Sequence, residues 1–235
     1  MTSTPSFLML FVLAGLVLVV LIALYRRERQ QRRRQRSQVF APAYDLFDSY
    51  RVEQSGVEFP VLSGRYRGHA FLIDTVIDTM TFRKLPVLWL RVSLLTPIEG
   101  IATTDIMVRV QNTEFYGPGN DLPFQLSVPS DWPPGSVVKT ADPAQAPAID
   151  LLRRHLDFFA ADQAKEILVT PKGVRLVGLL DQGRRPEYLV MRAADFRESQ
   201  VSAILLRDIM DRCIALAEDL GTVSKATSRV QGNQA

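Results

Sequence analysis

VEFPVLSGRY (57–66), HAFLIDTVID (69–78), PVLWLRVSLL (86–95) and DIMVRVQ (105–111) follow one another in the chain, each bounded by glycine, proline or a polar cluster. All four are rich in branched and aromatic residues, which pack well on a pleated, half-buried surface, so they are predicted to be β-strands. The Gly64–Gly68 stretch is expected to join the first two as a hairpin. Along the second run Phe71, Ile73, Thr75 and Ile77 share one face, with Ala70, Leu72, Asp74, Val76 and Asp78 on the other. This alternation predicts a mainly antiparallel sheet with one buried face and one partly wet face. On the wet face Asp74 is expected to pair across the sheet with Arg91 or Arg109.

Downstream the texture changes. Residues 112–147 hold half of the chain's fourteen prolines and predict an irregular connection with short strands at Phe124–Val128 and Ser136–Lys139. Ile149, Leu152, Leu156 and Phe159 then recur at helical spacing. KEILVT (165–170), a turn at Pro171–Gly173 and VRLVGLL (174–180) read as a second hairpin, with EYLVM (187–191) as a further strand. Val201, Ile204, Leu205, Ile209, Leu216 and Leu220 form the clearest helical stripe. Gly221 stands where a helix stop is expected, and Arg207 faces Asp211 at i, i+4. The tail, residues 222–235, is expected to be frayed. Upstream, Pro42 is expected to end any incoming helix, and YDLFDSY (44–50) to form a helical turn that packs Leu46 and Phe47 onto the domain.

The N-terminus is of a different kind. Residues 7–25, FLMLFVLAGLVLVVLIALY, contain no charge, amide or proline. At about 1.5 Å rise per residue they make a helix of roughly 28 Å, close to the hydrocarbon thickness of a bilayer. Residues 1–6 are uncharged, whereas Arg26, Arg27, Arg29, Arg32, Arg33, Arg34 and Arg36 follow with only Glu28 against them. A cleaved signal carries its positive charge before the apolar run, so the segment reads as a retained anchor. Arginine flanks stay cytoplasmic, which predicts a short extracytoplasmic N-terminus and a cytoplasmic C-terminal domain. The seven arginines are expected to contact lipid headgroups, because a polybasic segment at the membrane surface gains about 1 kcal/mol per charge there.

The expected organisation is therefore α+β. A single transmembrane helix (7–25) and a basic juxtamembrane segment (26–39) precede a mainly antiparallel sheet domain (40–221) with two or three packed helices.

The whole chain, 235 residues with a net charge of +3, is 47% hydrophobic and 23% charged, which excludes a disordered or collagenous protein. The basic tract carries +6, so the remainder is mildly acidic at −3. Cys213 stands alone, which excludes an internal disulfide. Only five of the 28 basic residues are lysine, a bias expected of a GC-rich bacterial genome.

Catalytic signatures are lacking. Ser136-Val-Val-Lys139 fits the Ser-x-x-Lys spacing of acyl-transfer enzymes, but it follows Pro133-Pro134-Gly135 and does not open a helix. His69 and His155 begin no metal-ligand spacing. Asp74 and Asp78 are about 13 Å apart along one strand, too far to share a metal. Gly117-Pro-Gly119 lacks the third glycine of a dinucleotide loop. No cofactor, metal or nucleic acid is expected, and catalysis is less expected than its absence.

The leading expectation is a membrane-anchored, non-catalytic protein-interaction or scaffold module with an unidentified protein partner. Phe115, Tyr116 and Trp132 in the proline-rich segment are its expected partner contacts. The alternatives are a membrane-tethered hydrolase with a site assembled from dispersed residues, and a small-molecule or lipid-headgroup sensor. A deep polar pocket holding a histidine beside a carboxylate would favour the first, and an apolar cavity the second.

Overall fold

A computed structural model of the chain describes residues 4–78, 85–108, 117–160, 164–183, 196 and 199–232. Helix α1 (Thr4–Ser37) leads into a 3-10 turn at Ala41–Leu46. The strands are β1 (Ser49–Glu53), β2 (Val61–Tyr66), β3 (His69–Asp78), β4 (Val87–Leu94), β5 (Thr104–Met107), β6 (Phe124–Leu126), β7 (Val137–Thr140), β8 (Ala164–Thr170) and β9 (Gly173–Gln182). Two further helices are α2 (Ile149–Arg153), continued by a 3-10 turn at Leu156–Ala160, and α3 (Ala203–Gly232). EYLVM and Arg109 lie outside the described residues.

Among the described residues, nine strands form one sheet in the order β1-β2-β3-β4-β9-β8-β5-β7-β6, and every neighbouring pair is antiparallel. The first four strands are a meander. The chain then skips two strand positions before laying down β5, and the later β8–β9 hairpin fills the gap. Inside the sheet between β9 and β5, β8 is buried at six of its seven positions, the ionisable Lys165 and Glu166 among them.

One face of the sheet carries Phe71, Ile73, Leu90, Val92, Ile106 and Ile167 into the core, where α3 covers them with Leu206, Ile209, Met210, Cys213 and Leu216. Of the expected inward set of β3, Phe71 and Ile73 are buried, whereas Thr75 and Ile77 are half-buried like their outward neighbours. Burial pushes the Cys213 thiol far up, so it behaves as a small hydrophobe whose hydrogen points at the Val92 carbonyl.

Asp211 on α3 accepts from Tyr66 Oη at 3.0 Å and from Arg67 at 2.9 Å, clipping the β2–β3 turn to the helix. The expected Arg207–Asp211 pair is thus replaced by a tertiary contact. The helix also passes through Gly221 and continues to Gly232. No proline follows Gly221, and a lone internal glycine weakens a helix by only about 1 kcal/mol.

At the other end Val39 and Phe40 are fully buried, and the Val201 N–H donates to the Val39 carbonyl at 2.8 Å. Helix α1 therefore joins the domain without a linker. No helix among the described residues is long and apolar enough to cross a membrane. The side chains of Phe7, Leu8 and Leu10 lie outside the described residues, and the continuous described run from Phe11 to Tyr25 meets Arg26 at once. Fifteen residues make about 22 Å of helix, short of the ~30 Å of a hydrocarbon core.

Candidate functional site: an exposed apolar helix and a buried acid pair

Among the described residues, the apolar part of α1 stands exposed. Met9 is 74% exposed and Phe11 73%, and Leu13 through Leu24 project all round the helix. An exposed apolar surface of this extent marks an interface.

The arginine tract that follows is divided in two. Gln54 Nε2 donates to the Arg33 carbonyl at 3.1 Å, Arg36 Nη1 donates to the Val57 carbonyl at 2.9 Å, and the Arg36 guanidinium lies 4.7 Å over the Phe59 ring. Arg29 reaches towards Gly56 on the same loop. Residues 29, 33 and 36 lie on one helical stripe, of which the Arg36 side chain and the Arg33 carbonyl are bound to the β1–β2 loop. Arg32 pairs with Glu28. Arg26, Arg27 and Arg34 are exposed and make no ion pair among the described residues.

Phe115 and Tyr116 lie outside the described residues. Trp132 is only 5% exposed and belongs to the core cluster. A buried indole cannot meet a partner, so the expectation of a contact there is corrected.

One histidine lies beside a carboxylate among the described residues. His155 Nε2 lies 3.1 Å from Asp219 Oδ2, which Arg154 also approaches at 3.8 Å. No serine, threonine or cysteine bonds to His155 among the described residues, and His69 sits at the β2–β3 turn opposite Tyr66. Ser136 donates to the Pro133 carbonyl, whereas Lys139 sits on β7 opposite Asp105. Asp74 is bound by Arg91, with Nε to Oδ1 at 2.8 Å, the first of the two partners expected for it. Among the described residues no group of three or more His, Cys, Asp or Glu side chains could hold a metal. A cavity of about 100 Å³ lies between the core face of the sheet and α3, lined by Leu90, Phe158 and Ile209, with Arg212 bridging Asp157 and Asp208 beside it.

The partly wet face of the sheet carries the strongest polar anomaly. Asp105 on β5 and Glu166 on β8 are both fully buried. The register pairs Met107 with Glu166 and Asp105 with Leu168, which makes the two acids diagonal neighbours on one face. Counted as ionised acceptors, all four carboxyl oxygens lack a hydrogen-bond donor. Two carboxylates cannot bond each other, but a single proton turns their contact into an O–H···O⁻ bond.

Burial raises Asp105 to about 6, opposed by the proton shared from Glu166, the Gly119 N–H, Arg175 and Lys139. Burial first, and then the charge and hydrogen bond of Asp105, raise Glu166 well above the carboxylate range against Arg175 and Arg91. The directions agree: Glu166 keeps the proton and Asp105 carries the charge.

Gly117 and Gly119 press against this pair. A Cβ at Gly117 would overlap Glu166 Oε1, and one at Gly119 would lie 2.6 Å from Asp105 Oδ2. The glycines are needed for close approach, since only a bare backbone fits there. Gly117→Ala is expected to destabilise the protein by about 1–3 kcal/mol through overpacking. The penalty should shrink in a Glu166→Ala background, where room has been made. Urea titration of the four-member cycle measures this, and equal penalties in both backgrounds would mean that the carboxyl is not what the methyl meets.

Neither acid was singled out from the sequence. A charged residue inside the apolar strings TTDIMV and KEILVT was the available signal. It was masked because alternation assigns both to a wet face, and the local sequence does not show that Gly117–Asn120 covers that face.

The chain matches no family model, no curated protein and no solved structure.

Proposed function

We propose that the protein is a single-pass membrane-anchored module. In this reading residues 7–25 form the anchor, and the α+β domain acts on the cytoplasmic side as a non-catalytic protein-interaction or scaffold unit. The observation that carries the reading is the apolar part of α1, exposed on every side among the described residues and continuous with the domain. With Phe7, Leu8 and Leu10 included, the uncharged run reaches bilayer length.

The contacts of the Arg36 side chain and the Arg33 carbonyl with the β1–β2 loop support a fixed orientation of the domain against the membrane. The exposed side chains of Arg26, Arg27, Arg29, Arg32, Arg33 and Arg34 remain available to anionic headgroups. The arginine flank supports a cytoplasmic domain by the charge asymmetry of membrane helices. A protein partner of unidentified nature, rather than a substrate, suits a domain in which, among the described residues, no nucleophile bonds to His155 beside Asp219.

Alkaline carbonate extraction of membranes from cells making the full chain tests the anchor, and cross-linking in those membranes tests the interaction role. The chain is expected to stay in the pellet, and one defined protein is expected to cross-link in a way that depends on residues 1–25. Release of the chain into the supernatant would refute the anchor. Retention with only lipid and background proteins cross-linked would refute the scaffold role.

A further inference from the structure

We propose that Asp105 and Glu166 share one proton that latches the Gly117–Asn120 segment onto the sheet, so that loss of this proton releases the segment. The proposal stands on three placements: two fully buried carboxyls side by side, four oxygens without a donor, and two glycine backbones packed on those oxygens. With the proton present, Glu166 donates to Asp105, and the nearby Gly119 N–H, Arg175 and Lys139 favour the remaining negative charge on Asp105 without completing a hydrogen bond to it. Without it two negative charges face each other in a space closed to water, and burial of the second is strongly unfavourable. The least costly relief is hydration, and the element that must lift to admit water is the short 3-10 turn Pro118–Asn120 with its cap Gly117.

Charged groups face the pair from the surrounding strands: Lys139 from β7, Arg175 from β9 and Arg91 from β4. Arg91 is already engaged by Asp74 on β3, and Arg175 donates to Ser93 Oγ at 3.1 Å. These cations favour ionisation of Asp105 but bring no donor within bonding distance of either acid. Within the covering segment and its end, Asp121 is the one titratable residue among residues 117–121.

The sign of the pH effect follows. Both acids are raised in the folded state, so between the ordinary carboxylate range and their folded values the folded chain binds more protons than the unfolded chain. Stability therefore falls as pH rises through about 6, where Asp105 ionises, continues to fall until Glu166 ionises, and then levels off. The segment is held below that last step and released above it.

The test is hydrogen–deuterium exchange of the full chain from pH 5 to 9, corrected for intrinsic exchange and read at residues 117, 119 and 120. Wild-type protection is expected to fall by up to about tenfold per pH unit between the ionisation of Asp105 and that of Glu166, and to level off above the latter. Glu166→Gln keeps a donor towards Asp105 and removes the titration of residue 166, so its protection should be flat above the ionisation of Asp105. Asp105→Asn removes the neighbouring charge, so Glu166 should ionise earlier and the fall should move to lower pH. This second variant decides the matter if Glu166→Gln does not fold.

A structural role alone would not produce the infrared band of a protonated carboxyl at neutral pH, which should be present in wild type and absent in Glu166→Gln. Flat wild-type protection, or a wild-type pH profile in Glu166→Gln, would overturn the latch.

Discussion

Leu16→Arg combined with Val20→Arg should move the protein from the membrane pellet to the soluble fraction while leaving the domain folded. The two positions are four residues apart on α1 and sit near the middle of the run from Phe7 to Tyr25. Each arginine at the centre of an inserted helix costs about 2.5–3.5 kcal/mol on insertion scales. Two of them together change the partition between bilayer and water by three orders of magnitude or more. Leu16 and Val20 are both exposed, so the substitutions remove no contact of the fold. Flotation on vesicles measures the first effect, and near-ultraviolet circular dichroism checks the second. Continued flotation of the double variant would mean that the apolar run does not enter the bilayer.

The second large effect is expected at the junction of helix and domain. Phe40 is fully buried and is among the largest buried side chains of the protein, directly after the end of α1. Truncation to alanine removes most of an aromatic side chain and leaves a cavity that its neighbours fill only partly, at about 3–5 kcal/mol. For a domain of this size the melting temperature should drop by about 10 °C. The fixed angle between α1 and the domain should loosen with it, because Val39 and Phe40 carry the connection across to Val201. Membrane partition should not change, and this separates the variant from the charge substitution. Calorimetry in detergent measures the drop, and a loss below about 1 kcal/mol would show that Phe40 is not part of the cooperative core.

Much of the local structure was legible because it is a matter of side-chain period. Phe71 and Ile73 alternate with Leu72 and Asp74, and β3 follows. The PKG turn has the chemistry for a hairpin, and Gly173 at φ +142° supplies it. The end of α3 was not legible, since a glycine marks a stop only when the surrounding contacts favour one, and Gly221 has open space about it. The pairing of Asp211 was misread for a related reason. Arg207 is the neighbour along the helix, but the β2–β3 turn brings Tyr66 and Arg67 closer.

The amino-acid sequence by itself determined the antiparallel α+β character, the apolar N-terminal helix and the arginine asymmetry after it. These depend on composition and period within some twenty residues, a range over which neighbours in sequence remain neighbours in space. Only the tertiary structure decided that the β8–β9 hairpin enters between β4 and β5, and that the Arg36 side chain and the Arg33 carbonyl are bound to the β1–β2 loop. It alone brought Asp105 and Glu166 together beneath Gly117 and Gly119. Strand order and register join residues dozens of positions apart, and their energies come from burial and pairing that no local stretch of the chain contains.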